Sequence, residues 1–80
     1  MKVTVLLFAR YREAAGEPAI AVDLPDGATL GEAWAAVRRR FPALAAETGP
    51  LMALDRAYRG PETAVRPGSE IAFFPPVSGG

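Results

Sequence analysis

The 80-residue chain contains no cysteine and no histidine. These two absences exclude disulfides, thiol nucleophiles, zinc clusters built on thiolate or imidazole, and any triad with a histidine base. No metal centre and no bound cofactor is expected on such a chain. Asparagine and glutamine are missing as well, and Lys2 is the only lysine among the basic residues. That bias is in the direction of a thermophilic or GC-rich source. Net charge is also lacking, because nine basic residues cancel nine acidic ones. There is thus no electrostatic footprint for nucleic acid or for an anionic membrane. No apolar run approaches the ~20 residues of a membrane span. The start of the chain has no basic segment, apolar core or cleavage site of a leader. The expectation is a cytoplasmic protein without nucleic-acid or membrane partners.

Half of the residues are hydrophobic, which argues against disorder. Eighty residues make one domain, 1–80, with a thin core. Lys2 to Ala9 is rich in β-branched and apolar residues and reads as a strand. Arg10 to Gly16 reads as a short helical turn stopped by glycine. Pro18 to Leu24 alternates, with Ile20, Val22 and Leu24 on one face, and reads as a half-buried strand. Pro25-Asp26-Gly27 is a turn. Thr29-Leu30-Gly31-Glu32 matches a capping box. Leu30, Trp34, Val37 and Phe41 follow at helical spacing, so Trp34 belongs to a core-facing stripe. Arg38-Arg39-Arg40 reads as a solvated face that complements the helix dipole. Ala43 to Glu47 adds a further turn of helix. Leu51 to Leu54 and Ala57 to Arg59 are short strands around a turn at Asp55-Arg56. Arg66-Pro67-Gly68-Ser69 has proline and glycine placed for a type II turn. Glu70 to Phe74 is the last strand. The fold class is α+β, one sheet with a helix packed across one face; strand order is left open.

Side-chain parity divides the first and last strands. Val3, Val5, Leu7, Ile71 and Phe73 fall on one face, assigned to the helix side. The other face begins polar, with Lys2, Thr4 and Glu70, and ends apolar, with Leu6, Phe8 and Phe74. If the two strands lie side by side and parallel, the apolar ends coincide as an exposed patch of the kind that meets a partner. The alternative is a loop that covers it.

The patch would adjoin the end of the chain. Pro75 and Pro76 hold Phe74 and Pro75 extended, and Val77-Ser78-Gly79-Gly80 follows. Residues 75–80 are expected to form a flexible tail. Its last five residues reach roughly 16–18 Å when extended. Gly79 and Gly80 lack side chains and fit a narrow channel. The Gly80 carboxylate is an anion, with an ordinary pKa of about 3.3–3.7, and is inert as an acyl donor until activated. Such a tail reads as a substrate for another protein's active site. A frayed terminus also accounts for Gly-Gly, though not for the aromatic-diproline run before it.

Val5-Leu6-Leu7-Phe8-Ala9, the following Arg12-Glu13, and above all Ala72-Phe73-Phe74-Pro75-Pro76-Val77-Ser78-Gly79-Gly80 resemble the small, sulfur-carrying subunits of molybdopterin synthase. The resemblance covers the whole chain in length and element order, and departs most over 43–59. It implies a ubiquitin-like β-grasp fold with one mixed sheet, the last strand pairing parallel to the first. It implies an adenylating enzyme of the ubiquitin-activating type, which spends ATP with magnesium on the Gly80 carboxylate, and a sulfur donor that converts the adenylate to a thiocarboxylate. It implies delivery of that sulfur to a cyclic pterin phosphate precursor in the large synthase subunit, within a heterotetramer. Catalytic side chains would belong to the partners; Gly80, with Gly79, would be the reacting end. Leu6, Phe8, Phe74, Pro75, Pro76, Val77 and Ser78 would meet the partner, and the resemblance adds Arg12 at the rim. Three other readings stay open: a sulfur carrier for the thiazole of thiamin, a ubiquitin-like modifier conjugated through Gly80, and a passive interaction module.

Overall fold

Residues 1–76 are described by the structure, a computed structural model. The elements are β1 (Lys2–Leu7), α1 (Arg10–Ala15), β2 (Ala19–Asp23), α2 (Leu30–Arg40), a 3-10 turn (Pro42–Leu44), β3 (Leu51–Leu54), β4 (Ala57–Tyr58) and β5 (Glu70–Phe74). They form one five-stranded sheet in the order β2-β1-β5-β3-β4. β5 pairs parallel to β1 and antiparallel to β3. The two hairpins, β1-β2 and β3-β4, are antiparallel. The sheet is therefore mixed, and its last strand in sequence lies at its centre.

The alternation in β1 and β5 decides which side is buried. Val3, Val5, Leu7, Ile71 and Phe73 are buried, together with Ile20 and Val22 of β2. α2 closes this side with Leu30, Ala33, Trp34 and Val37, all buried. Trp34 sets its ring 4.9 Å from that of Phe73 at 60°, the tilted arrangement that aromatic quadrupoles favour. Tyr11 of α1 lies 5.0 Å from Trp34 on the same side and is fully buried.

The start of α2 leaves none of its first donors without a partner. The Thr29 hydroxyl accepts from the Glu32 N–H at 3.2 Å, and the Glu32 carboxylate accepts from the Thr29 N–H at 3.1 Å. The Leu30 and Gly31 N–H groups donate to the carbonyls of Thr63 and Pro61, each at 2.9 Å. A helix normally leaves these donors orphaned. Here the capping box takes two, and the loop before β5 takes two. Gly31 suits the close approach, since a Cβ there would stand 3.3 Å from the Pro61 carbonyl oxygen. Gly68, at φ 79°, and the Ser69 N–H bond to the Arg66 carbonyl complete the type II turn that aims β5.

Four local expectations need correction. The first strand ends at Leu7 rather than Ala9, because Phe8 to Tyr11 turn sharply: the Tyr11 N–H bonds to the Phe8 carbonyl at 3.1 Å. The extra helical turn is Pro42–Leu44, not 43–47, and it buries Leu44. Its start is set by Pro42, which needs no N–H partner there. The return strand stops at Tyr58, with Arg59 outside it. The Arg38-Arg39-Arg40 run is more than a solvated face. Arg38 donates to the Ala45 carbonyl. Arg40 donates to the Ala21 carbonyl at 2.7 Å. Two of the three guanidiniums thus tie the end of α2 to its surroundings, and the Ala21 bond occupies a carbonyl of the edge strand β2.

Candidate docking surface at the end of β5

Among the described residues, no helix or strand covers the side of the sheet away from α2. Strand register places Leu6 opposite Ala72, Ala72 opposite Ala53, and Ala53 opposite Tyr58. A row therefore crosses four strands with two alanines in the middle and larger side chains at both ends. The small middle makes the row concave. The result is a groove of about 460 Å³, lined by Leu6, Phe8, Ala53, Ala72, Phe74 and Tyr58, with Arg56 and Glu70 also in its wall.

One row further along, Phe74 pairs with Leu51. On its other flank, the Phe8 ring stacks on the Phe74 ring with centroids 4.4 Å apart and planes 13° from parallel. Tyr58 tilts against Phe74 at 6.0 Å. Phe8 (39% exposed), Leu51 (40%) and Tyr58 (68%) are the exposed large hydrophobic residues of the described chain. All three surround Phe74. Singly exposed apolar side chains are ordinary, but a cluster around one groove is a candidate interaction surface.

Leu6, Phe8 and Phe74 thus meet as parity placed them. Pro75 follows, half-buried, and Pro76 is exposed. The tail therefore departs from the lip of the groove. Val77, Ser78, Gly79 and Gly80 lie outside the described residues. Arg12 is exposed on α1 and is not among the residues lining the groove. Leu51, Ala53, Arg56 and Tyr58 were not foreseen as part of this face. Leu51-Met52-Ala53-Leu54 is apolar at every position, so its alternation carries no information. Tyr58 sits in a two-residue strand, which has no period to read.

The polar wall is built by the β3-β4 turn. Asp55 and Arg56 both have positive φ, 47° and 72°, as a two-residue hairpin of the I′ kind demands. The Asp55 carboxylate accepts from the Glu70 N–H at 2.9 Å, and the Asp55 N–H donates to the Glu70 carbonyl at 2.8 Å. These bonds lock the turn to the start of β5 and hold Arg56 beside the groove.

Perturbed titration lies elsewhere, around α1. Arg10 grips Glu47 with two hydrogen bonds, at 2.9 and 3.0 Å. Through that bond the guanidinium holds the Glu47 carboxyl below its ordinary range, and Glu47 raises Arg10 further. Burial, with the Glu47 charge second, pushes the Tyr11 phenol up. The Tyr11 hydroxyl meets no hydrogen-bonding partner among the described residues. Among the described residues no group of three or more metal-ligating side chains gathers, and no helix is long and apolar enough to cross a membrane. The chemistry on offer at the groove is recognition, by stacked aromatics beside one cation and one carboxylate.

Comparison with known proteins agrees with this architecture. The sequence profile of the ThiS family matches residues 5–80. The molybdopterin synthase sulfur carrier subunit of Haemophilus influenzae is 42% identical over 98% of this chain and 99% of its own length. The corresponding Escherichia coli subunit is 40% identical over 98% and 99%. Among solved structures, the crystal structure of SAMP1 from Haloferax volcanii superposes with a TM-score of 0.88, is 31% identical and covers 100% of both chains. The open-faced β-grasp sheet, the aromatic groove at the end of β5 and the match over 5–80 lead to one assignment: this chain belongs to the ThiS family of ubiquitin-like proteins, the group that holds the sulfur carrier subunits of molybdopterin synthase.

Proposed function

We propose that this chain carries sulfur for molybdopterin synthesis, with the Gly80 carboxylate as the reacting group. The observation that supports the reading best is the apolar groove around Phe74, open on the side of the sheet away from α2 and directly before the tail. A carrier must hand its end to a partner's active site, and a docking surface at the root of the tail fixes where that end goes. Leu6, Phe8, Phe74 and Tyr58 supply aromatic and aliphatic anchors; Pro75 and Pro76 stiffen the exit.

In the chemistry proposed, a Gly80 carboxylate oxygen attacks the α-phosphorus of ATP, bound with magnesium by an adenylating partner. Pyrophosphate leaves, and the carboxylate becomes a mixed anhydride. A donor of sulfide-level sulfur then displaces AMP from the acyl carbon and loses its proton, so that the C-terminus becomes a thiocarboxylate. That soft anion enters the large subunit of molybdopterin synthase and yields its sulfur to a cyclic pterin phosphate precursor; water restores the carboxylate. The relatives from Haemophilus influenzae and Escherichia coli are named as sulfur carrier subunits of that synthase. The absence of cysteine fits the role, since no thiol of this chain competes for the activated acyl group. The setting proposed is cytoplasmic, in a heterotetramer with the large subunit.

A second reading is favoured by the likeness to SAMP1 of Haloferax volcanii, a protein named as a small archaeal modifier. A modifier shares the adenylate but ends as an isopeptide on a target lysine. The two diverge in product, so intact mass of the protein from its own cells separates them. A species heavier by one sulfur-for-oxygen exchange at the C-terminus is the result expected of a carrier. Protein found only as lysine conjugates, with that exchange nowhere while the cofactor is being made, would overturn the carrier reading.

A further inference from the structure

Among the described residues, three that are not glycine have positive φ: Ala9, Asp55 and Arg56. The last two make a two-residue hairpin turn, where such angles are the rule. Ala9 stands apart. It lies at φ 51° and ψ −129°, a region glycine enters freely and a residue with a Cβ resists. The Tyr11 N–H bond to the Phe8 carbonyl, at 3.1 Å, makes Phe8-Ala9-Arg10-Tyr11 a β-turn. Positive φ with strongly negative ψ at its second position is the type II′ pattern, dominated there by glycine. Ala9 is also the N-cap of α1, with no side-chain oxygen to offer a helix N–H. Glycine would remove the strain, and asparagine or aspartate would ease it and bring a side-chain oxygen to the start of the helix. Alanine does neither, so its presence asks for another reason.

The turn controls Phe8. On one side the Leu7 N–H is fixed to the Pro18 carbonyl at 2.9 Å, the last bond of the β1-β2 ladder. On the other, the Phe8 carbonyl is held by the turn. Between these points the backbone of Phe8 has left the strand; the residue is 39% exposed, and its ring lies on Phe74. A glycine at position 9 would let Phe8 swing, because a residue without Cβ has many backbone states. An alanine has few.

We propose that Ala9 is a positioning residue: its strained, stiff turn fixes Phe8 on Phe74 in the free protein and so shapes the groove before a partner arrives. A groove ordered in advance leaves less ordering to be done on binding. The inference rests on the docking role given above to the Phe8–Phe74 surface.

The test uses the full chain, made by chemical synthesis with D-alanine at position 9 and recombinantly as Ala9→Gly. D-alanine finds φ 51°, ψ −129° unstrained, the mirror of an ordinary extended L-residue. The D-alanine protein is expected to melt several degrees higher than wild type, in line with relief of strain in a domain of this size. It should keep the Phe8–Phe74 ring contacts by NMR and bind the large synthase subunit as tightly as wild type. Ala9→Gly is expected to melt no lower than wild type, lose intensity in those contacts, and bind the large subunit three- to tenfold more weakly. A D-alanine protein that melts lower than wild type would show that no strain resides at this turn. Ala9→Gly with undiminished ring contacts and wild-type affinity would equally overturn the proposal. The NMR and melting arms need no partner. If wild type itself fails to bind the large subunit, the docking reading falls, while the ring contacts still decide whether Ala9 positions Phe8.

Discussion

Phe73 and Phe74 are neighbours in the chain and lie on opposite sides of the sheet. Phe73 is wholly buried against Trp34, whereas Phe74 stacks on Phe8 over the open side. One peptide bond thus separates a residue of the core from one of the open groove. Phe73→Ala is expected to destabilise the domain by about 3–5 kcal/mol, through lost burial and the cavity left behind. Phe74→Ala and Phe8→Ala should cost much less stability and weaken binding to the large subunit by at least roughly tenfold, about 1.4 kcal/mol. Melting temperature and partner affinity, measured on all three, decide it. A Phe74→Ala protein that unfolds while Phe73→Ala melts like wild type would reverse the faces.

The helix offers a graded comparison. Thr29→Ala leaves the Glu32 N–H without its acceptor and should cost about 0.5–2 kcal/mol. Trp34→Ala removes the ring between Tyr11 and Phe73 and should cost about 3–5 kcal/mol. Equal melting temperatures for the two would contradict this packing.

Arg56 occupies a backbone position, φ 72°, that glycine takes without strain. Arg56→Gly is expected to raise stability by up to about 1 kcal/mol, strain relief outweighing the added freedom of the unfolded chain. Denaturant titration reads this directly. A loss of stability would mean that the Arg56 side chain contributes more than the turn withholds.

The Arg10–Glu47 pair makes a prediction in pH. Glu47 has its folded pKa depressed by the hydrogen bond from Arg10. Its contribution is therefore present above the ordinary carboxylate range and is lost as pH falls through the folded value. The pair lies at the surface, so the change in stability should be small. Arg10→Ala should move the Glu47 midpoint upward in an NMR titration. A midpoint that stays put would show the ion pair to be unimportant in solution.

Deleting Gly79-Gly80 should abolish sulfur transfer and leave the melting temperature unchanged, because residues 1–76 already complete the sheet and core. A large drop in melting temperature would assign those glycines a structural role instead.

How much of this was legible in the sequence depends on period. The polar Lys2, Thr4 and Glu70 set the phase of β1 and β5, so their faces could be read from those positions onward, and the Thr29–Glu32 spacing announced the start of α2. Strand order could not be read, since it depends on which ladders form between segments far apart. The unforeseen half of the groove lies where pattern fails: an all-apolar β3, a β4 of two residues, and alanines whose importance is their smallness. Tyr11 was hidden in a six-residue helix, too short to display a stripe. The partners of Arg38 and Arg40 are the carbonyls of Ala45 and Ala21, and a backbone acceptor leaves no trace in residue type.

The central place of β5 bears on how the protein is made. Before residues 70–74 exist, the sheet is only two separate hairpins, β1-β2 and β3-β4, and a lone two-stranded hairpin is marginal in water. A ribosome delivers β5 last among the strands. The loop that seals the α2 N-terminus at Pro61 and Thr63 also arrives late. An incomplete chain therefore cannot assemble the Phe8–Phe74 stack, whose two halves come from opposite ends of the sequence. Under the function proposed above, a truncated or misfolded copy would therefore never offer a partner the completed groove.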